Sequence, residues 1–312
     1  MKIIAFLIGL IFLSPNISDA QAKSFYILNP EVEQGDVLII IIEPQWQTKA
    51  MGFSVCASVK WDGSDNPGQE YAPNNYGKIF VGVEVNMKPG EYIVFLVECG
   101  RGVRLDWYYD VIKISERSFG KPWYRTLPKR NPKISARREE EKKIKNEAYA
   151  KASAGEDYTD GDFVNPLDSI TINDSFGTPR IYGVYNKKTK TWMAIKGIPS
   201  VPHGGVDLQA KIGTPVKAIN SGLVLLAHDF PLSGTEGKMI ILDHGSGILS
   251  LYLHLSRFKV KAGDRVKKSQ IIALSGATPK GTPPHLHFMT RVNETNVDPL
   301  RFIELANQYL VK

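Results

Sequence analysis

Chemically versatile residues are scarce in this chain. Its 312 residues include two cysteines and six histidines, and no histidine precedes residue 203. Two thiols are too few for a thiolate zinc site, so a structural metal of that kind is excluded. Cys56, in "FSVCASVKW", and Cys99, in "YIVFLVECG", lie in strand-like runs. Alternation places Cys56 with Ser54, Ser58 and Lys60 on a polar face, and Cys99 with Ile93, Phe95 and Val97 on an apolar one. An oxidising compartment would permit a disulfide between them, while the contrast of faces speaks against it. Long apolar runs are missing after the first residues, which excludes a transmembrane helix downstream. Along the chain the basic residues are scattered without interleaved aromatics, so no nucleic-acid partner is expected.

The one apolar run opens the chain. "MKIIAFLIGLIFL" places Lys2 before Ile3 to Leu13, and small or polar residues follow up to Ala20 and Ala22. This reads as a secretory signal peptide over residues 1–20, with cleavage after 20 or 22, and implies an exported protein without stable membrane insertion. Its loss removes Lys2 and Asp19, one charge of each sign, so the net charge of +7 persists. A basic exported protein is attracted to anionic polymers such as cell wall.

The remainder divides by composition. Residues 23–116 alternate β-rich runs with turn signals, including "GDVLIIIIEP" and "GKIFVGVEVNMKPGEYIVFLVECG", the spacing of an immunoglobulin-like β-sandwich. Residues 117–160 change to a proline-broken basic stretch and then "ARREEEKKIKNEAYAKASAG", expected as a flexible linker with a solvated, charged helix capped by Ser135. Residues 161–312 return to short strands and glycine turns and hold every histidine. "GTPVK" at 213–217 and "GDRVK" at 263–267 hint at a duplicated β-roll or barrel. The chain as a whole is expected to be mostly β.

Sorting the histidines by context isolates a constellation. In "TPPHLHF" an extended backbone places His285 and His287 on one face and Leu286 and Phe288 on the other. His203 begins "HGGVDLQ", where Gly204 and Gly205 let the chain bring His203 and Asp207 to one centre. In "SLYLHLS" His254 shares a polar face with Ser250 and Tyr252. His244, in "LDHGSG", is expected to support a turn, and His228, in "AHDFP", to lie in a loop. Imidazoles plus a carboxylate suit zinc, and His203, Asp207, His254, His285 and His287 exceed the three ligands a catalytic site takes. The surplus fits a base and a donor to a developing oxyanion.

"HGGVD", "LDHGSGILSLYLHLS" and "SGATPKGTPPHLHF" resemble, in order and spacing, the motifs of the lysostaphin and LytM-type zinc metallopeptidases. The similarity runs from about Phe176 to Leu300, and the amino-terminal part resembles the sandwich of some periplasmic members. Two positions depart from the pattern: Pro283, where the family usually has glycine, and Met289, where an acidic or aromatic residue is common. The resemblance implies the β-rich duplicated hybrid motif, one zinc ion on His203, Asp207 and His287, and His254 and His285 as catalytic histidines. It implies a periplasmic endopeptidase acting on peptidoglycan cross-links, most often the D-alanyl-diaminopimelate bond; the oligomeric state is left open, with a monomer expected. The other reading it leaves is a catalytically dead regulator that activates amidases. It leaves open which bond is cut, which of His254 and His285 is the base, and whether the amino-terminal region inhibits or positions.

Overall fold

The computed structural model describes residues 23–46, 55–60, 69–127, 132–153, 155–231 and 236–310. The expected signal peptide and its cleavage points lie outside them. Among the described residues no helix is long and apolar enough to cross a membrane.

Two sheets face each other in the amino-terminal region. Phe25–Ile27, Val37–Ile42 and Lys78–Gly82 make a sheet of three strands; Glu31–Glu33, Arg104–Ser115, Gly90–Glu98, Val55–Lys60 and Gln69–Tyr71 make one of five. Leu38, Ile40 and Ile42 of the smaller sheet meet Val55, Val59 and Val94 of the larger in one buried cluster. Val37, Ile39 and Phe80 point the other way and join the core of the carboxy-terminal half. This explains why "VLIIII" shows no polar alternation: both faces of its strand are covered.

The carboxy-terminal half is built on an eight-stranded sheet. Its path runs Ile172–Asp174, Val206–Leu208, Leu286–Val292, Ile248–Leu255, Gly237–Asp243, Gly222–Phe230 and Arg265–Val266, and Thr295–Val297 pairs with Leu286–Val292. Alternation divides its side chains between two cores. Ile240, Leu242, Tyr252 and Phe288 face the larger core, shared with the helix Pro299–Leu310, while Met239, Ile241, Leu251 and Leu253 face the smaller. The suspected repeat is visible as two matching turns. Gly213 and Gly263 both have φ +90°, and in each turn the residue after the glycine donates its amide to the carbonyl three residues back, Thr214 to Lys211 and Asp264 to Lys261. Among the described residues nothing lies within 4 Å of a Cβ built on either glycine, so the positive φ is what favours glycine there.

The linker is docked rather than free. Its strand Trp123–Arg125 pairs in parallel with Pro179–Asn186. Its helix, Pro132–Tyr149, is polar on most faces, but Ile144 and Ala148, one turn apart, pack on Leu249, Leu251 and Leu253 together with Tyr149. The helix begins at Pro132, a residue suited to a first helical position, so Ser135 lies inside the first turn and is not the cap.

Polar contacts join the two halves as well. The Arg117 guanidinium lies 2.6 Å from Asp298 and 3.8 Å from Asp36, which Arg301 also approaches at 3.4 Å. Asp298 donates its amide to the Gly35 carbonyl, and Asn293 its side-chain amide to the carbonyl of Phe80.

Cys56 and Cys99 form a disulfide, with Cα atoms 5.2 Å apart. The contrast of faces that spoke against it disappears in the register. Cys56 is opposite Val97 and Ser58 opposite Phe95, so the polar and apolar runs share one face of the five-stranded sheet. His228 also departs from expectation, because it sits within the strand Gly222–Phe230, its ring 4.6 Å from that of Phe230.

Candidate active site

Three adjacent central strands carry most of the site. Asp207 on Val206–Leu208 is the register partner of His287 on Leu286–Val292, and His287 is in turn opposite Leu253. Leu286 and Phe288 are buried in the larger core, which leaves His285 and His287 together on the other face. His203 enters from the preceding turn, its amide bonded to the carbonyl of Thr178. The second glycine is sterically required: a Cβ on Gly205 would sit 2.4 Å from the Phe288 carbonyl oxygen and 3.1 Å from His287 Nε2. Met289, one of the two departures, fills the space beside both glycines.

His254 reaches the site by a different route than alternation suggests. Ser250 and Tyr252, expected to share a polar surface with it, are fully buried. The Tyr252 hydroxyl accepts the amide of Ile219 and lies 3.0 Å from Ser250 Oγ, which is 2.8 Å from Nε2 of buried His244. Between the partners Lys238↔Leu255 and Ile240↔Tyr252, both Leu253 and His254 oppose Met239 alone. This β-bulge has His254 at φ +62°, a conformation disfavoured for a side-chain-bearing residue and maintained by its surroundings. The result is a His254 ring 4.6 Å from that of His285 and 5.8 Å from that of His287.

His203 Nε2, Asp207 Oδ1 and His287 Nδ1 converge. Their separations are 3.3 Å for His203 to Asp207, 3.2 Å for His203 to His287 and 2.6 Å for Asp207 to His287. His203 Nδ1 donates to the Ser175 carbonyl at 2.9 Å, which leaves its Nε2 lone pair aimed into the cluster. With both rings neutral and these nitrogens unprotonated, the three atoms are electron-pair donors facing one another and can hold a cation. Tetrahedral zinc with bonds of about 2.0 Å separates its ligand atoms by about 3.3 Å, which two of the three separations match, while Asp207 and His287 would have to part from hydrogen-bond distance to admit it; nitrogen and carboxylate donors suit that metal. The flanking histidines share a different pattern. His254 Nδ1 donates to the Thr278 carbonyl at 2.7 Å and His285 Nδ1 to that of Pro283 at 2.8 Å, so each presents Nε2.

The electrostatics follow from burial and from this cluster. Burial works to raise the Asp207 pKa, but hydrogen bonds from His203, His285 and His287 override it and hold the carboxylate far below its usual range. Burial lowers His287. Burial, then the neighbouring His287 and His285, push His254 down to about 4. Burial also acts to lower His285, but its hydrogen bond to Asp207 leaves it raised. Away from the site, burial alone accounts for most of the lowering of His244 to about 4.

Sequence reasoning missed the residues behind the ligands. Asp174 Oδ2 is 3.4 Å from His203 Nδ1 and is paired with Arg180. Lys145 of the linker helix pairs with Glu236, whose backbone carbonyl receives the amide of His254. Only the short span between Asp174 and "FGTPR" hinted at the first; nothing in the sequence relates residue 145 to 236. A cleft of about 280 Å³ opens beside His203, walled by Glu84 and Asn86 of the amino-terminal region and by Phe176 and Asn296.

The sequence pattern of peptidase family M23 matches residues 201–299, the span that contains all five site residues. The carboxy-terminal part of the chain is an M23 peptidase domain. Lysostaphin of Staphylococcus simulans is 44% identical over 115 residues, which cover 35% of this chain and 23% of lysostaphin. Peptidoglycan DD-endopeptidase ShyB of Vibrio cholerae is 40% identical over 101 residues, 32% of this chain and 23% of ShyB. The chain thus spans about a quarter of the length of these relatives. A crystal structure of a candidate M23 peptidase from Pseudomonas aeruginosa, 23% identical, superposes with a TM-score of 0.53 over 86% of this chain and 94% of its own. That likeness concerns the fold, and it extends beyond the M23 domain into the amino-terminal half.

Proposed function

We propose that the protein is an exported zinc endopeptidase that hydrolyses peptide cross-links of peptidoglycan, at D-alanyl-diaminopimelate bonds. The observation that carries this reading is the convergence of His203, Asp207 and His287 with two further imidazoles beside them. Bound zinc would lower the pKa of a water and polarise the scissile carbonyl. His203 and His287 supply neutral nitrogen ligands, and Asp207 contributes the charge that offsets the metal. His254 and His285, each tied through Nδ1 to a backbone carbonyl, present Nε2 to the substrate; one accepts a proton while the other donates to the oxyanion. The disulfide supports an extracytoplasmic location, the periplasm in our reading. Residues 23–116 would form an immunoglobulin-like sandwich, 117–160 the connecting segment and 161–312 the peptidase domain.

The test is digestion of defined cross-linked muropeptides by purified protein, with and without chelator, and identification of products by mass. Chelator-sensitive release at the D-alanyl-diaminopimelate bond is expected. Intact substrate at every zinc concentration would point instead to a regulator of amidases.

A further inference from the structure

The hairpin formed by Pro179–Asn186 and Thr191–Ala194 stands outside every buried cluster, yet it is rich in apolar side chains. All four residues of Thr191–Ala194 are exposed. Val184 is 55% and Met193 56% exposed, and Trp123, on the strand that braces the hairpin, 57%. The hairpin belongs to a small four-stranded sheet with Trp123–Arg125 and Val201–Pro202, and apolar side chains left exposed on it mark a candidate interaction site.

One face has a defined form. Tyr185 and Trp192 are register partners with rings 5.4 Å apart, and Tyr124 of the bracing strand stacks on Trp192 at 5.9 Å and 18° between planes. Gly183 makes the strip possible, since a Cβ there would approach Tyr124 to 3.1 Å and Trp192 to 3.2 Å. The charge is equally one-sided. From residue 175 to residue 206 there are five basic residues and no acidic one, and three of the lysines, 187, 188 and 190, sit at the exposed hairpin turn. Tyr185, Trp192 and the three lysines lie within residues 185–192, and the fold adds Tyr124 to them from a distant segment.

We infer that the Tyr124–Trp192–Tyr185 strip and the adjoining lysines bind the glycan strand of the cell wall beside the peptidase site, best where its stem peptides have been removed and its lactyl carboxylates are free. The choice of polymer rests on the peptidoglycan reading above. Flat aromatic rings suit the C–H faces of pyranose rings, and the lysines suit the lactyl carboxylates that a strand bears once its stem peptides are removed. A membrane fits less well, because the apolar side chains lie on the flanks while the hairpin tip is lysine-rich. The surface is continuous with the site: Arg180 and Val201 are register partners, and His203 follows the strand Val201–Pro202.

The test measures binding of the full mature chain, stripped of metal, to peptide-free glycan strands prepared by amidase digestion. Tyr124→Ala with Trp192→Ala should weaken binding by roughly tenfold or more, the loss expected for anchoring aromatics. Because that variant removes the stack bracing the hairpin, a second one replaces Lys187, Lys188 and Lys190 with Gln at the exposed turn, and it should also weaken binding. With metal restored, both should cleave short soluble muropeptides at the unaltered rate while digesting intact sacculi more slowly. No strand binding, or unchanged binding in both variants, overturns the inference. So does equal binding to single-stranded DNA, which marks a general polyanion surface, and so does variant-sensitive binding confined to vesicles of phosphatidylethanolamine and phosphatidylglycerol, which marks a membrane contact. Strand binding without muropeptide cleavage would sink only the peptidase reading; cleavage without strand binding would sink only this one.

Discussion

Asp207 and His287 are register partners on neighbouring antiparallel strands, and Asp207 Oδ1 lies 2.6 Å from His287 Nδ1. The spacing of these two ligand atoms is therefore set by a backbone ladder rather than by loop packing. His287→Ala should abolish both zinc content and cleavage. His285→Ala and His254→Ala should keep near-normal zinc and lose turnover by about a hundredfold or more, the scale of an acid-base or oxyanion group. Elemental analysis beside cleavage rates checks this, and full zinc in His287→Ala would reverse the division of ligands from catalysts.

The Lys145–Glu236 pair ties the linker helix to the residue that receives the His254 amide. Lys145 is thereby expected to act as a positioning residue for the bulge. Lys145→Met should retain zinc and lower turnover by about ten- to a hundredfold, as small displacements of catalytic groups do. Lys145→Arg should restore part of it, whereas a fall in melting temperature with no change in turnover would assign Lys145 to stability alone.

Phe80 belongs to the amino-terminal sheet but is buried in the core of the other half. Phe80→Ala should cost about 3–5 kcal/mol. Both halves should lose stability together, in a single calorimetric transition for the wild type and the variant. For the same reason a chain beginning at Asp162 should aggregate or melt early, because it uncovers Leu249, Leu251 and Leu253 as well.

His244 predicts an acid sensitivity that is separate from catalysis. Its folded pKa is about 4 against a usual 6.5, so as pH falls through 6.5 the unfolded chain takes up the proton first. The stability tied to neutral His244 is complete above about pH 6.5 and is lost progressively down to about pH 4. The loss is on the order of 3 kcal/mol, from roughly 2.5 units at 1.36 kcal/mol each. The melting-temperature gap between wild type and His244→Gln should shrink over that range; a constant gap would rule the mechanism out.

Much of the site was legible because it rests on period-two alternation and on glycine. "HLH" gave two imidazoles on one face, and "HGGVD" gave a turn that only small residues allow. His254 does lie beside His285 and His287, but by a route that alternation does not predict: the sequence reads as a regular strand, and only pairing with Met239 reveals the bulge. The disulfide was obscured in the same manner, since a face that looks polar on one strand and apolar on its partner is defined only by register. The docked linker escaped notice because two apolar residues, Ile144 and Ala148, are a weak signal among so many charges. Pairings between distant segments, such as Lys145 with Glu236, leave no local trace.

With Asp207 and His287 on the hydrogen-bonded ladder and His254 at a bulge within it, reactivity and selectivity reside on different kinds of backbone. The exposed tip of the Pro179–Ala194 hairpin lies outside that ladder, whereas the segment before His285 is tied to it through the Thr278 and Pro283 carbonyls that hold His254 and His285. Such a scaffold can acquire a new target by editing its margins while the chemistry at its centre is inherited intact.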